Sequence, residues 1–365
     1  MSVHWLLVYS YVFDASFALA LLLTPAFKRL SFQWGFVDQP DVERKIHTHA
    51  MPLLGGCAVF GAFAANVLFN YLVVLPLFSK IDLPFIEMPD LRIHIEGAFS
   101  VWRKLVVLLL GGFLMIALGV YDDKKELKAR SKLLGQFLVA AVVWLAGMRI
   151  TLFMHSKIVS FVLTVLWIVT ITNAMNFLDN MDGLCAGIGL VCSLLFGFIA
   201  GIQQQYFVCL LSIALAGALL GFLPHNFKPA SIFLGDAGSH FIGYMLAVLS
   251  IMGTFYRQGE PTYLPVLIPL LVMAVPLFDL VMVMWIRLQR GQPVYLGDVN
   301  HISHRLVRLG LPQSWAVTLI YLITLTLGLG ATVLLWAQWT GALIVIVQAI
   351  CILAIVTLLE QLGNK

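Results

Sequence analysis

Asn173-Ala174-Met175-Asn176-Phe177-Leu178-Asp179-Asn180-Met181-Asp182-Gly183-Leu184 stands directly between two long apolar segments. Three amides and two carboxylates therefore crowd the end of what reads as a membrane helix. In a bilayer such groups are costly unless they find a partner or reach water, so a cluster of them is a functional signal. An asparagine ladder holding helices together accounts for one or two amides. It accounts poorly for two acids beside them. On a helix, Asn173, Asn176 and Asn180 share a face by their spacing, and Asp179 and Asp182 step round from it.

The composition around this stretch sets the fold class. Of 365 residues, 61% are hydrophobic and 11% charged, where a soluble domain has about half apolar and about a quarter charged. The chain reads as an all-α polytopic membrane protein. No linker or low-complexity tract divides it, so residues 1–365 form a single transmembrane domain. Apolar runs predict eleven spans, at about 5–27, 53–78, 104–121, 133–150, 157–176, 183–202, 205–225, 234–254, 262–286, 314–336 and 340–359. Residues 5–27 are too long for a cleaved leader and lack a basic start, so they are read as a retained first helix. The odd-numbered loops and the C-terminus hold 15 of the 22 Lys and Arg residues. Positive charge collects on the cytoplasmic side, which puts the N-terminus outside and the C-terminus inside. Loop 79–103 falls outside and is expected to carry a short external element. The five cysteines lack paired spacing and read as small buried hydrophobes.

The stretches that can carry chemistry all fall on the predicted cytoplasmic side, in loops 28–52, 122–132, 177–182, 225–235 and 287–313, which together are expected to form the active site. The first holds Arg44-Lys45-Ile46-His47 and then Pro52 and Gly55-Gly56; glycines at a helix entry admit another backbone or a ligand. The second runs Asp122-Asp123 into five bases ending at Lys132, which suits metal binding, proton abstraction or a salt-bridged lid. The fourth contains Gly235-Asp236-Ala237-Gly238-Ser239. A helix opening there offers free N–H groups to a phosphate or carries a metal site, although an aspartate can also be a plain cap. The ninth span contains Asp279 within reach of the site, whereas Asp14 in the first span reads as a helix–helix partner. The last loop, if helical, aligns His301, His304, Arg305 and Arg308 as one polar stripe suited to anions, with Leu306 and Leu309 on another face.

Taken together, these stretches resemble the polyprenyl-phosphate N-acetylhexosamine-1-phosphate transferases. The matched pieces are Asp122-Asp123, Asn173-x-x-Asn176-x-x-Asp179-x-x-Asp182-Gly-Leu, Gly235-Asp236-x-Gly-Ser, Pro276-Leu-x-Asp279 and His301-x-x-His304, with Arg44-Lys45-x-His47 before Pro52. The likeness runs over roughly residues 35 to 310 in order and spacing. It implies transfer of N-acetylglucosamine 1-phosphate from a UDP-sugar to undecaprenyl or another polyprenyl phosphate, releasing UMP, as the first membrane step of a cell-envelope polysaccharide. It further implies Mg²⁺ (Mn²⁺ as the substitute) on Asn176 and Asp236, with Asp122, Asp123 and Asp236 catalytic. Lys45, His47, Asn173, Asp179, Asp182, His301, His304 and Arg305 then bind nucleotide and substrate, with Asp182 at the uracil. The implied setting is the plasma (inner) membrane, with a homodimer and no nucleic-acid partner. Two positions depart from the family pattern: Asn180 replaces a glycine and Ser303 a histidine, which bears on sugar specificity more than on reaction class. The alternatives are another UDP-N-acetylhexosamine or UDP-MurNAc-pentapeptide as donor, or an ion-coupled transporter. A transporter places its polar groups near the bilayer midplane; these gather at helix ends.

Overall fold

The computed structural model describes residues 3–39, 50–80, 97–151, 156–256, 262–293 and 301–362. Its helices are α1 (Val3–Gln33), α2 (Gly55–Phe69, prolonged through a π-helical turn at Asn70–Val74 into Leu75–Lys80), α3 (Trp102–Lys125) and α4 (Ala129–Leu145). There follow α5 (Lys157–Leu178), α6 (Leu184–Ile202), α7 (Tyr206–Asn226) and α8 (Gly235–Met252). The last are α9 (Ile268–Val272), α10 (Ala274–Gln289), α11 (Ile302–Arg308), α12 (Gln313–Val333) and α13 (Trp339–Leu362). The one sheet among the described residues pairs β1 (Val37–Asp38) with β2 (Met51–Pro52), antiparallel, with Val37 opposite Pro52. Most of the expected external element, residues 81–96, lies outside the described residues.

Every predicted apolar segment coincides with helix, but not always as one straight span. Among the described residues, eight helices are long and apolar enough to cross a membrane. A ninth passes only as the pair Leu264–Val272 and Ala274–Gln289, which bends by 69°. The segment 262–286 is thus broken at Met273, and Pro276 gives the reason: it has no N–H to offer the Val272 carbonyl. The Cys192 thiol donates to that carbonyl instead, at 3.4 Å. The remaining two segments, 133–150 and 234–254, fall on helices of 17 and 18 residues, α4 and α8. α4 is short, and α8 carries Asp236 and His240.

α8 can be polar because it is central. Every residue from Ala237 to Ser250 is buried, and α2, α3, α5 and α6 all pack on it. Its neighbours approach through small residues, as membrane helices do when packing rather than water exclusion holds them. A Cβ on Gly56 would lie 2.2 Å from the Gly238 nitrogen, and one on Gly119 would lie 2.3 Å from the Ala237 Cα. Both collisions are with backbone, which cannot step aside, and overpacking of this kind costs about 1–3 kcal/mol or more. Gly119→Ala is therefore expected to lower the melting temperature in detergent and cut the yield of folded protein; unchanged melting would show that α3 and α8 are not so tightly apposed. The Gly55–Gly56 pair thus admits a backbone, that of the α8 entry: the two N–H groups donate to Phe233 and Leu234 carbonyls at 3.1 and 2.8 Å.

Two expectations change. Asp14 is exposed on α1 rather than bridging helices. The buried polar link between α1 and α2 is Asn66, whose Nδ2 donates to the Val12 carbonyl (2.8 Å) and Ser16 Oγ (2.7 Å). Its polar ends are satisfied within the protein, whereas Asp14 needs water or headgroups and so faces outward. Cys351 is exposed on α13, an outer helix; an apolar thiol needs no burial on a face that meets lipid.

Candidate active site

The C-terminal ends of α3, α5, α7 and α10 and the N-terminal ends of α4, α6 and α8 gather at one end of the bundle, with α11 beside them. Antiparallel connectivity brings the described parts of the five predicted loops together there. Lys45 and His47 lie outside the described residues, but β1 and β2 bracket their loop. The Phe233 N–H donates to the Pro52 carbonyl at 2.8 Å, which ties that bracket to the entry of α8.

Asp122 and Asp123 close α3 and point to different tasks. Asp122 is buried: Oδ1 accepts from the Leu127 N–H at 2.7 Å, and Oδ2 pairs with Lys132 Nζ. It braces the turn into α4, where Glu126 adopts a left-handed conformation with φ of 47°. Asp123 reaches across to α8, Oδ1 accepting from the Asp236 N–H at 3.0 Å and Oδ2 from the Ala237 N–H at 3.4 Å. The free N–H groups that the sequence offered to a phosphate are thus held by a carboxylate from another helix. Gly235 allows this approach: its φ is +73°, and a Cβ there would lie 2.8 Å from Asp123 Oδ2.

Asp236 is the meeting point. Its backbone is capped by Asp123, while its side chain accepts from Asn176 Nδ2 at 2.8 Å and from Lys132 Nζ at 2.9 Å. The same Asn176 amide donates to Ser239 Oγ at 2.9 Å. Asn176 and Asp236, expected as partners from the resemblance, therefore touch. Lys132 is the functional residue that sequence reasoning missed: one ammonium group bridges Asp122 and Asp236. Asn173 does not join them. Its amide donates to Gln136 Oε1 at 2.6 Å and to the Val169 carbonyl at 2.7 Å, so it fastens α4 to α5 one turn deeper.

Asp179 follows the last turn of α5 and faces both Asp236 and Asp182. Burial, reinforced by those two carboxylates, pushes its carboxyl well above the usual range. Asp123, Asp179 and Asp236 are close enough to repel one another, an arrangement that a cation relieves. The donors are all hard oxygens, which suits Mg²⁺. Among the described residues no three Asp, Glu, His or Cys side chains converge to hold a metal alone, and Mg²⁺ is ordinarily held by one or two carboxylates with water and substrate phosphates. Asp182 Oδ2 accepts from the Ala230 N–H at 3.2 Å. The same turn is pinned by Asn226, whose Oδ1 accepts from the Gly183 N–H at 3.2 Å, and by Tyr321, which donates to the Gly183 carbonyl.

The basic wall comes from α10 and α11. Asp279, fully buried, meets His301 Nδ1 at 2.7 Å and accepts from the Ile302 N–H at 2.7 Å, which anchors the start of α11. The expected single stripe is divided. His301 and Arg305 are buried, His304 is half-buried and Arg308 is exposed. Leu306 is buried but Leu309 is not, because a helix this short turns only part of its surface into the site. A cavity of about 860 Å³ lies at the opposite end among Trp5, Asn66, Val101 and Met252 and is lined by no charged residue among those described. Charge, not cavity volume, marks the reactive end.

Comparison with known proteins adds relatives to this geometry. The family model described as Glycosyl transferase family 4 matches residues 105–254. The chain is 32% identical over 361 residues to a probable undecaprenyl-phosphate N-acetylglucosaminyl 1-phosphate transferase of Bacillus subtilis, covering 97% of this chain and 92% of the relative. It is 32% identical over 359 residues to a decaprenyl-phosphate N-acetylglucosaminephosphotransferase of Mycolicibacterium smegmatis, covering 91% and 84%. An undecaprenyl-phosphate alpha-N-acetylglucosaminyl 1-phosphate transferase of Yersinia pestis is 26% identical over 332 residues, covering 87% and 80%.

Proposed function

Because this chain belongs to the polyprenyl-phosphate N-acetylhexosamine-1-phosphate transferases of glycosyl transferase family 4, a family of multi-pass membrane enzymes, we propose that it transfers N-acetylglucosamine 1-phosphate from UDP-GlcNAc to undecaprenyl phosphate. An oxygen of the lipid phosphate forms a bond to the sugar-bearing phosphorus of the donor, the bond from that phosphorus to the UMP oxygen breaks, and UMP leaves. The product is a lipid diphosphate sugar, the first lipid-linked intermediate of an envelope polysaccharide. The site faces the cytoplasm, where UDP-sugars are made, in the plasma (inner) membrane.

The observation that carries this reading is the convergence of Asn176, Lys132 and Asp123 on Asp236. Donor and acceptor are both anions and must approach to bonding distance, so catalysis here is mostly positioning and charge stabilisation. Asp236 and Asn176 hold Mg²⁺, which when bound offsets charge on the phosphates. Lys132 supplies a fixed positive charge at the same place. Asp123, tied to two backbone N–H groups, keeps α8 in register and stands beside the acceptor phosphate. His301, His304 and Arg305 meet the donor diphosphate from the opposite wall, and Asp182 lies toward the uracil. A polyprenyl chain cannot leave the bilayer, and so the polar site is brought to the membrane edge.

Purified protein is expected to release UMP only when UDP-GlcNAc, undecaprenyl phosphate and Mg²⁺ are all present, with EDTA abolishing turnover and Mn²⁺ restoring part of it. A panel of UDP-sugars identifies the donor. No UMP from any of them would withdraw the reading.

A further inference from the structure

Asn180 and Ser303 meet in the fold although 123 positions apart: Ser303 Oγ donates to Asn180 Oδ1 at 2.5 Å. The other half of the Asn180 amide is also committed. Its Nδ2 donates at 2.8 Å to the Phe177 carbonyl, one of the last carbonyls of α5, which lack helical donors. The Phe177 side chain completes the junction. Its ring meets the His301 ring edge-on with centroids 6.0 Å apart, and the Arg287 guanidinium lies 5.2 Å above it. The start of α11 is therefore gripped twice, by Asp279 from α10 and by Asn180 from the α5–α6 turn.

What the second grip connects gives it meaning. The α5–α6 turn carries Asp179 and Asp182 on the acidic wall, and α11 carries His304 and Arg305 on the basic wall. Ser303 is fully buried at 0% exposure, so its hydroxyl has no solvent to exchange with and the bond spans the two walls directly. These are also the two positions at which the sequence departs from the pattern it resembles, and they depart into each other. We propose that the Asn180–Ser303 hydrogen bond is a positioning contact that fixes the gap between the two walls for the donor sugar diphosphate. Neither residue need touch the donor; each acts through the segment it holds. The inference rests on the donor reading above. It predicts an effect on the donor alone, because the acceptor phosphate lies at the other flank, beside Asp123.

A double-mutant cycle on the full-length protein tests it, with initial rates of UMP release over varied UDP-GlcNAc and varied undecaprenyl phosphate. Ser303→Ala is expected to raise KM for UDP-GlcNAc about tenfold, the worth of one hydrogen bond, and to leave KM for the lipid unchanged. In an Asn180→Ala background the same change should add nothing. Amide exchange of residues 301–308 without substrate should speed up in either single variant and no further in the double. Additive effects on KM would overturn the proposal. So would a Ser303→Ala protein that melts earlier with an unchanged donor KM, since that marks a merely structural bond. If wild-type protein releases no UMP from UDP-GlcNAc, the donor reading fails by itself, and the exchange cycle still decides whether the bond fixes the two walls.

Discussion

Asp236→Ala is expected to abolish UMP release, a fall of about a thousandfold or more in kcat, the scale set by removing a principal charge-stabilising group, while the protein still folds. Both halves of that outcome follow from the geometry. The backbone N–H of residue 236 is held by Asp123 at 3.0 Å whatever side chain it bears, so α8 stays in place. The side chain is where Asn176 and Lys132 converge; without it the proposed cation loses its carboxylate and Lys132 retains only Asp122. Asn176 still has Ser239 Oγ at 2.9 Å, which limits the structural damage. Asp236→Asn should be nearly as inactive, because an amide keeps the shape and loses the charge. The check pairs the UMP assay with a melting curve. Undiminished turnover in either variant removes Asp236 from the reaction.

Lys132→Met is expected to lower turnover about a hundredfold and also to lower the melting temperature. The Lys132 side chain is 23% exposed and its partner Asp122 only 3%. Taking one member from such a pair leaves a buried charge uncompensated, which costs about 3–5 kcal/mol. The two losses have separate origins, and a second substitution separates them. Asp122→Asn in the Lys132→Met background removes the stranded carboxylate and is expected to recover most of the melting temperature. Turnover stays low, since Asp236 still lacks its cation. A Lys132→Met protein working at the wild-type rate would refute the bridging role, and so would a double variant that melts no higher than the single.

The residues of the site divide according to what a sequence can express. Asn176 and Asp236 stood out because acids and amides at membrane-helix ends are costly, and the fold places them in contact. Lys132 did not stand out, being one of five bases within nine residues. A signal existed: Lys132 precedes Gln136 by one helical turn, and Gln136, Val139, Ala140 and Val143 form the buried face of α4. Of the five bases it alone heads that face. The bend at Met273 had a similar marker in Pro276, hidden by the uniform hydrophobicity of 262–286. The grip of Asp123 on the start of α8 and the meeting of Asn180 with Ser303 had no local marker. Both depend on which helix ends become neighbours, and that is settled by packing across the bundle.

The burial of α8 bears on how the protein is made. A helix enters the bilayer on its own when its side chains prefer lipid to water; α8, with Asp236 and His240 near its start, is less apolar than the eight that qualify by length and hydropathy. Its surroundings must be protein from the outset. All four helices that enclose it lie earlier in the chain: α2, α3, α5 and α6 emerge from the ribosome first. They can assemble a vacant, glycine-lined slot before α8 is synthesised. The order of the sequence is then also an order of assembly, in which the segment bearing the central carboxylate arrives last among its neighbours and is received by them instead of by lipid.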